Sequence, residues 1–212
     1  MSAHDRDAVH AQLAQLGAAT VYEAAGRVGL LDCDLLQVVP GSRVAGPART
    51  VRCGQDDNLM VHAAMTRLRP GEVLVLTMPE PSAVALVGDL LLTQAQVAGA
   101  AGVLVDGSIR DLEELRAMGL PVWARWVRSR GATKEIVGAL DVEVEVGGAR
   151  IAPGDVVVLD ADGGAVVAAD RVEEVLAASQ AREQREAAKR ERLRAGERSY
   201  DLDGLRALVE GV

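Results

Sequence analysis

Three charged residues in this sequence, Asp89, Arg110 and Asp111, have the types and the spacing of an acid-binding site. Asp89 stands where an expected helix begins, and Arg110 and Asp111 follow an expected strand after an interval of 20 residues. One helix and one return strand fill about that length, so both ends of the interval return to one rim of an α/β sheet, where such proteins bind ligands. The spacing therefore predicts that the three side chains lie together.

Each group has a definite use with a small organic acid. The backbone N–H groups at the helix start, Gly88 to Leu91, are unpaired and favour an anion such as a carboxylate. The Arg110 guanidinium is a planar fork that binds a carboxylate through two hydrogen bonds. Asp111 offers hard oxygen ligands suited to Mg²⁺ or Mn²⁺. The set fits a 2-oxo acid whose carboxylate and keto oxygen chelate a metal held by one protein carboxylate and by waters.

Ordinary structural roles explain the same residues one at a time. Asp is a common helix cap, and Asp111 with Glu114 has the spacing of a capping box. Asp89 fits the same role at its own helix. Arg110 is compatible with a surface ion pair to Glu113 or Glu114, which contributes little stability. The case for a site therefore depends on the combination of the three residues.

Composition and charge narrow the classes of function. Apolar residues make up 49% and charged residues 25% of the chain, an ordinary globular mix. Aromatic residues are only 2%, too few for the base-stacking platforms of single-strand nucleic-acid binders. The net charge of −8 repels phosphate backbones. We therefore expect no nucleic-acid partner.

Cysteine, histidine and hydropathy patterns exclude several further kinds of site. Cys33 and Cys53 are too far apart for a Cys-x-x-Cys motif and indicate free thiols in a reducing compartment, and the three histidines lack zinc-ligand spacing. No P-loop, dinucleotide fingerprint or G-x-S-x-G elbow occurs. The first residues carry charges where a signal peptide is apolar, and the apolar stretch 82–105 contains Asp89. We expect a cytoplasmic protein that makes no membrane contact.

The elements that must position these residues alternate between helix and strand. A helix over residues 5–16 and a short helix capped by Thr20 come first, followed by two strands between residues 36 and 53. Gly147-Gly148 is a hairpin signal within a strictly alternating segment. The pattern predicts a single layered α/β domain with a mixed sheet over residues 1–170. The remaining predicted elements are a helix opening at 57–58, a strand at 72–78, a helix at 88–100, a strand at 102–106, a helix from Asp111, a strand at 120–124, and two strands within 153–169.

Residues 171–212 differ in kind and are predicted to form a charged C-terminal helical arm. Between residues 182 and 198 basic and acidic side chains alternate, so one interpretation is a solvated helix with pairs such as Glu186 to Arg190. The other is an arm that contacts a neighbouring subunit, because an apolar stripe after it needs a partner surface. This second interpretation favours an oligomer. The stripe consists of Tyr200, Leu202, Leu205, Leu208 and Val209.

Residues 88–111, GDLLLTQAQVAGAAGVLVDGSIRD, resemble the D-x20-R-D signature of the class II 4-hydroxy-4-methyl-2-oxoglutarate aldolases. These enzymes share a fold with the regulator of ribonuclease E activity A proteins. The segments ATVYEAAGRVGLL, PGSRVAGPARTV, DNLMVHAAM, GLPVWARWVRSRGATKE and APGDVVVLDADG are similar to the family in the same order. KRERLRAGERSYDLDGLR is similar to the tail of the aldolases. The resemblance implies a swivelling β/β/α-like fold and a homotrimer or a dimer of trimers.

The resemblance also implies roles for the three charged residues and their neighbours. Asp111 would bind the divalent metal, Mg²⁺ or Mn²⁺, and Arg110 would bind substrate oxygens. The amides of Leu90 and Leu91 would hold the pyruvyl carboxylate, and Asp89 would hold the water that relays protons.

Further residues enter the site through the same resemblance. A glutamate from a neighbouring subunit's arm joins the family's site, and Glu186 matches it best, with Glu183 and Glu191 as alternatives. The polar pocket positions of the family are matched by Asn58, His62 and Lys134, although His62 also fits an ordinary histidine on a helix face.

Two functions therefore remain open. One is a metal-dependent aldolase that cleaves 4-hydroxy-4-methyl-2-oxoglutarate, or 4-carboxy-4-hydroxy-2-oxoadipate, to pyruvate and a second 2-oxo acid. Oxaloacetate decarboxylation would accompany it, because both reactions leave pyruvate enolate. A Schiff base on Lys134 is less favoured, since its neighbours offer no apolar pocket. The alternative is a non-catalytic binding protein of the ribonuclease-regulator type.

Overall fold

Within residues 3–211, which this computed structural model describes, nine strands form one mixed sheet and two strands form a separate hairpin. The strands are β1 (Leu36–Gln37), β2 (Val44–Arg52), β3 (Val73–Thr77), β4 (Ala85–Val87), β5 (Gly102–Ile109), β6 (Val122–Val127), β7 (Ala139–Leu140), β8 (Val144–Val146), β9 (Ala149–Ile151), β10 (Val156–Asp160) and β11 (Gly163–Val167). The helices are α1 (Ala3–Leu16), α2 (Ala18–Ala24), α3 (Leu59–Ala64), α4 (Asp89–Val97), α5 (Leu112–Met118), α6 (Val172–Arg194), α7 (Ser199–Leu202) and α8 (Leu205–Glu210). The predicted α/β domain with a mixed sheet and a C-terminal helix is confirmed.

The centre of the sheet is parallel and its two ends are antiparallel. The strand order is β1-β6-β5-β3-β2-β10-β11, with β4 beside β5 and β7 beside β2. Strands β2, β3, β5 and β6 run parallel, and the pairings of β1 with β6 and of β10 with β2 and β11 are antiparallel. Every residue of β3 and β5 is buried, as expected for parallel strands covered on both faces.

Three groups of buried side chains hold the layers together. Helices α3, α4 and α5 cover one face of the parallel strands through Val61, Leu92 and Leu115. The β8–β9 hairpin covers the other face, next to the fully buried Trp123. Helices α1 and α2 pack on β10 and β11, and α6 packs on α1 and α2. The parallel strands are therefore fixed on both faces, and their ends are the part of the sheet left open for a ligand.

The start of α2 differs from the prediction, because Thr20 lies inside the helix and does not cap it. The amide of Ala18 donates instead to Oδ2 of Asp160, at 2.9 Å. Gly17 makes this approach possible: its φ is 84°, and a Cβ on it would lie 2.7 Å from that same oxygen. The cap therefore comes from a carboxylate at the end of β10.

Two short strands, β4 and β7, were not predicted. Strand β4 has three residues, all buried, and runs parallel to β5. So short an apolar run does not show the alternation or length that marks a strand in a sequence. The predicted hairpin turn at Gly147-Gly148 is confirmed, with φ values of 53° and 78°.

The C-terminal helix is continuous across the predicted end of the core. Val172, Val175 and Ser179 are buried against α1 and α2, so the boundary at residue 170 coincides with the start of α6. Further along, Glu186 pairs with Arg182 at 2.8 Å, one turn before it in the helix, and not with the predicted partner Arg190, one turn after it. The division into a core and an arm that contacts a neighbour stays a prediction.

No helix among residues 3–211 is both long enough and apolar enough to span a membrane.

Candidate active site at the carboxyl ends of β4 and β5

A cavity of about 150 Å³ opens where β4 ends and α4 begins. This volume lies below the usual range for pockets that bind drug-sized ligands, so it suits a molecule no larger than a small acid. The residues that line it are Asn58, His62, Ala85, Leu86, Val87, Gly88, Asp89, Leu90, Leu91, Arg110, Ala132 and Lys134. The structure thus brings together the predicted site residues apart from Asp111, which adjoins the cavity through Arg110, and Glu186.

The carboxylate of Asp111 lies at the amino end of α4. Its Oδ2 accepts a hydrogen bond from the Asp89 amide at 3.1 Å, and the partial positive charge of a helix start favours a carboxylate there. The side chain of Asp89 turns back on the same helix end, where its Oδ1 accepts from the Leu90 amide at 2.7 Å. The amide predicted to hold a substrate carboxylate therefore holds a carboxylate of the chain itself.

Asp111 does not cap its own helix, so the capping-box alternative is wrong. It occupies the N-cap position of α5 without a side-chain hydrogen bond to that helix. Its φ of 60° is left-handed, a conformation that Asp tolerates better than most residues. This backbone turns the carboxylate from α5 towards α4.

Arg110 lies between two glycines. Its Nε is 3.6 Å from Oδ2 of Asp111, and half of its side chain is exposed. A Cβ on Gly88 would collide with that Asp111 oxygen, and a Cβ on Gly131 would lie 2.8 Å from Nη1 of Arg110. Gly131 could not be identified from the sequence, because a glycine in an arginine-rich loop carries no signal of the side chain that will contact it.

The opposite wall is formed by polar residues of α3 and of the position before it, together with the loop before β7. Asn58 is buried, and its Nδ2 donates to the Leu86 carbonyl at 2.8 Å. Within the part of the chain that the structure describes, Oδ1 of Asn58 has no hydrogen-bond partner, and a buried acceptor without a donor is costly. His62 and Lys134 are exposed at the mouth of the cavity, so Lys134 lacks the apolar enclosure that a Schiff-base lysine needs.

A buried carboxylate behind this wall was not singled out as a functional residue. Asp57 is fully buried, and its oxygens accept from the Leu59 amide at 2.8 Å, the Thr133 hydroxyl at 2.7 Å and the Glu135 amide at 2.5 Å. Burial by itself would raise the pKa of Asp57, but these hydrogen bonds outweigh it and lower the pKa to about 2. In the sequence Asp57 only marked the start of a helix.

The ligand that Asp111 offers fits a hard divalent cation held by one protein carboxylate. Among the described residues no three His, Cys, Asp or Glu side chains form a metal-binding group. Mg²⁺ retains several waters and commonly takes one or two carboxylates together with substrate oxygens. The Oδ1 atom of Asp111 accepts no hydrogen bond from any residue in the described range, which leaves one carboxylate oxygen for such an ion.

The three candidate glutamates of the arm all lie on α6, away from the cavity of their own chain. Glu186 pairs with Arg182, and Glu191 pairs with Arg194 at 2.6 Å. Glu183 lines a separate groove between α1 and α6. A glutamate could therefore join the cavity only from another copy of the chain, and this part of the site stays a prediction.

Comparisons with known proteins support a relation to one family. A protein of Halalkalibacterium halodurans named "Putative 4-hydroxy-4-methyl-2-oxoglutarate aldolase" is 39% identical over 134 residues, which is 63% of this chain and 64% of that protein. The match therefore spans less than two thirds of that relative's length.

Two solved structures share the fold. One is Streptomyces coelicolor RraAS2, described as an unusual member of the RNase ES inhibitor RraA protein family. It has a TM-score of 0.77 and 30% identity, over 86% of this chain and 95% of that one. The other is the RNA-processing inhibitor RraA from Thermus thermophilis, with a TM-score of 0.59 and 30% identity, over 66% of this chain and 83% of that one. Residues 18–167 match the RraA-like family model, described as Aldolase/RraA. The chain belongs to the RraA-like family.

Proposed function

We propose that this protein is a divalent-metal-dependent aldolase. It cleaves 4-hydroxy-4-methyl-2-oxoglutarate, or 4-carboxy-4-hydroxy-2-oxoadipate, to pyruvate and a second 2-oxo acid, and it decarboxylates oxaloacetate. The observation that carries the proposal is the cavity in which the amino end of α4, Arg110 and Asp89 meet beside the carboxylate of Asp111. The name of the Halalkalibacterium halodurans relative supports the same reaction class.

Binding begins at the amino end of α4. A substrate carboxylate accepts hydrogen bonds from the amides of Leu90 and Leu91, where the helix dipole favours negative charge. It displaces the Asp89 carboxylate from the Leu90 amide and frees that side chain to hold a water. Arg110 binds substrate oxygens through its guanidinium fork, because the two neighbouring glycines leave room for it.

The reaction needs a base, an electron sink and an acid. The water held by Asp89, or the arm glutamate Glu186 of a second copy, takes the proton of the substrate's 4-hydroxyl. The bond between C3 and C4 then breaks, C4 becomes the carbonyl carbon of the second 2-oxo acid, and the electron pair of the broken bond forms pyruvate enolate. The group that took the 4-hydroxyl proton returns it to C3, which gives pyruvate. Held by Asp111, Mg²⁺ or Mn²⁺ would supply Lewis-acid polarisation of the keto group. Arg110 stabilises the negative charge that develops on the enolate oxygen.

A non-catalytic role is the second candidate. The two solved relatives are described as members of inhibitor families of RNA processing, and a net charge of −8 suits contact with basic partner proteins. This function requires neither the cavity nor its charged residues. Capture of a ribonuclease by a folded protein that shows no metal-dependent turnover would favour it.

The test is pyruvate release from oxaloacetate and from 4-hydroxy-4-methyl-2-oxoglutarate, with Mg²⁺, with Mn²⁺ and with EDTA, corrected for decay caused by metal alone. We expect metal-dependent turnover that Arg110→Ala abolishes. Arg150→Ala is the matched control, because it removes an exposed arginine of β9 that is not part of the cavity lining. Pyruvate trapped covalently on the protein by borohydride would instead support a Schiff base and contradict the metal mechanism.

A further inference from the structure

The loop of residues 130–135 forms a wall of the cavity and also limits the room available to the side chain of Arg110. Ala132 and Lys134 of this loop line the cavity. Gly131 lies against the guanidinium of Arg110, as the 2.8 Å separation between its virtual Cβ and Nη1 shows. A shift of this loop would therefore change both the cavity wall and the position of Arg110.

Backbone hydrogen bonds tie the loop down on two sides. The Ala85 amide donates to the Arg130 carbonyl at 2.7 Å, and the Ala132 amide donates to the Ala85 carbonyl at 3.2 Å, so β4 holds one side. On the other side, the Thr133 amide donates to the Asp56 carbonyl at 3.0 Å. The loop lacks regular secondary structure between these points.

The carboxylate of Asp57 joins the loop to the start of α3. One oxygen accepts from the Leu59 amide, in the first turn of that helix. The other accepts from the Thr133 hydroxyl and the Glu135 amide, both in or next to the loop. The same helix start carries Asn58, whose backbone N–H donates to the Thr133 carbonyl at 2.9 Å. One buried side chain thus spans the two segments that form this wall.

The Leu59 amide, the Thr133 hydroxyl and the Glu135 amide all donate to the two Asp57 oxygens, and only a carboxylate accepts from all of them. An asparagine would place an NH₂ group against one of these donors, so at least one hydrogen bond would be lost without any change in side-chain size. The chain offers a second way to weaken the link, since valine at position 133 keeps the shape of threonine and removes its hydroxyl.

We infer that Asp57 is a positioning residue, which holds loop 130–135 at the distance from α3 that the reaction requires. The inference rests on the proposed function of the cavity. Asp57 is not among the residues that line the cavity, so it acts through Gly131, Ala132 and Lys134.

The test compares four variants. Asp57→Asn is expected to lower kcat/KM by about 10- to 100-fold, the range that misplacement of a site by about 1 Å produces. Thr133→Val removes one hydrogen bond and is expected to lower kcat/KM by about 3- to 10-fold. Thr133→Ser keeps the hydroxyl and should restore the rate. Asp160→Asn is the matched control, because Asp160 is also a buried carboxylate that accepts from two backbone amides but lies outside the cavity lining.

Two measurements besides turnover follow the loop itself. Amide hydrogen exchange at residues 131–135 should be faster in Asp57→Asn and Thr133→Val than in the wild type and in Asp160→Asn. Calorimetric binding of oxalate in the presence of Mg²⁺ should weaken in the same two variants. The inference is overturned if Thr133→Val has an unchanged kcat/KM, if Thr133→Ser is as slow as valine, or if Asp160→Asn slows turnover as much as Asp57→Asn.

Failure of the inference is distinguishable from failure of the proposed function. A wild type that neither turns over a 2-oxo acid nor binds oxalate contradicts the proposed function, and the inference falls with it. A wild type that turns over substrate, with variants that exchange faster at the loop but keep full kcat/KM, leaves the function intact and contradicts only the positioning role of Asp57.

Discussion

At the scale of single residues, the backbone of Asp111 carries strain that its position explains. A non-glycine residue in the left-handed region costs about 1 kcal/mol or more, and Asp111 has a φ of 60°. In return its carboxylate leaves α5 and meets the Asp89 amide. Strained residues cluster at functional sites, so the conformation agrees with the role proposed for this carboxylate.

Replacing Asp111 by asparagine separates chemistry from folding. Asparagine also tolerates the left-handed region, so the free energy of unfolding in urea should change by less than about 1 kcal/mol. Metal-dependent pyruvate release should fall to background, because a neutral amide is a far weaker ligand for a hard cation. A folded Asp111→Asn variant that retains Mn²⁺-dependent turnover would contradict the proposed metal ligand.

Gly131→Ala tests the space beside Arg110. The backbone of Gly131 is not left-handed, and the new methyl group would lie 2.8 Å from the guanidinium. The substitution therefore adds no backbone strain and moves one side chain. We expect thermal stability to stay near that of the wild type, while kcat/KM falls by about 10-fold or more. Steady-state kinetics with oxaloacetate check this, and unchanged kinetics would show that Arg110 has another place in the working site.

At the scale of elements, local sequence patterns predict strands and turns, whose signals lie within a few residues. They do not predict contacts between residues that are far apart in the chain. The apolar run 72–78 predicted β3, and the glycine pair predicted the β8–β9 turn, because both signals lie within a few residues. The cap of α2 could not be found, since Ala18 and Asp160 are 142 residues apart. Local spacing therefore favours Thr20 as the cap of this helix.

The candidate site shows the same division. Asp89, Arg110 and Asp111 could be placed on one rim, because a helix and a return strand have a known length. The contacts of Gly131 and Asp57 could not be inferred, since Asp57 meets the hydroxyl of Thr133 across 76 residues. The periodicity of a sequence does not indicate which loop will pack against the wall of the cavity.

The anchoring of α3 by Asp57 predicts a dependence of stability on pH. The pKa of Asp57 is lowered from 3.8 to about 2 in the folded chain. A carboxyl with a lowered pKa stabilises the fold while it is ionised, so its contribution is complete above about pH 5 and is lost as the pH falls towards 2. At pH 6, Asp57→Asn should reduce the free energy of unfolding by about 1–3 kcal/mol, as for a buried group that loses partners.

Urea unfolding of wild type and Asp57→Asn between pH 6 and pH 2.5 measures this dependence. The difference between the two proteins should shrink as the pH falls. A difference that stays constant over this range would mean that the charge of Asp57 does not stabilise the fold.

At the scale of the whole molecule, the arm has apolar side chains that stay exposed and a candidate site glutamate that does not reach the cavity of its own chain. Leu208 and Val209 of α8 are 83% and 74% exposed, and Glu186 lies outside the cavity that its chain forms. If an arm completes the cavity of a neighbour, each working site combines residues of two copies. The oligomer would then be the catalytic unit.

Mixing two inactive variants tests this arrangement. We expect Asp111→Asn and Glu186→Gln to be inactive when each is assembled alone, since the first lacks its metal ligand and the second its arm carboxylate. In oligomers refolded from an equal mixture, about a quarter of the sites should combine an intact Asp111 with an intact Glu186 from its neighbour, and about a quarter of wild-type activity should return.

A mixture of Glu186→Gln with Glu183→Gln is the control. Both variants carry an intact Asp111. If the activity of this mixture exceeds the average of the two separate variants, the two arm glutamates contribute to different sites. If Glu186→Gln alone is fully active, the same mixing with Glu183→Gln or Glu191→Gln identifies the residue. If no arm variant loses activity and mixing restores none, each cavity works without its neighbour, and the charged arm serves assembly alone.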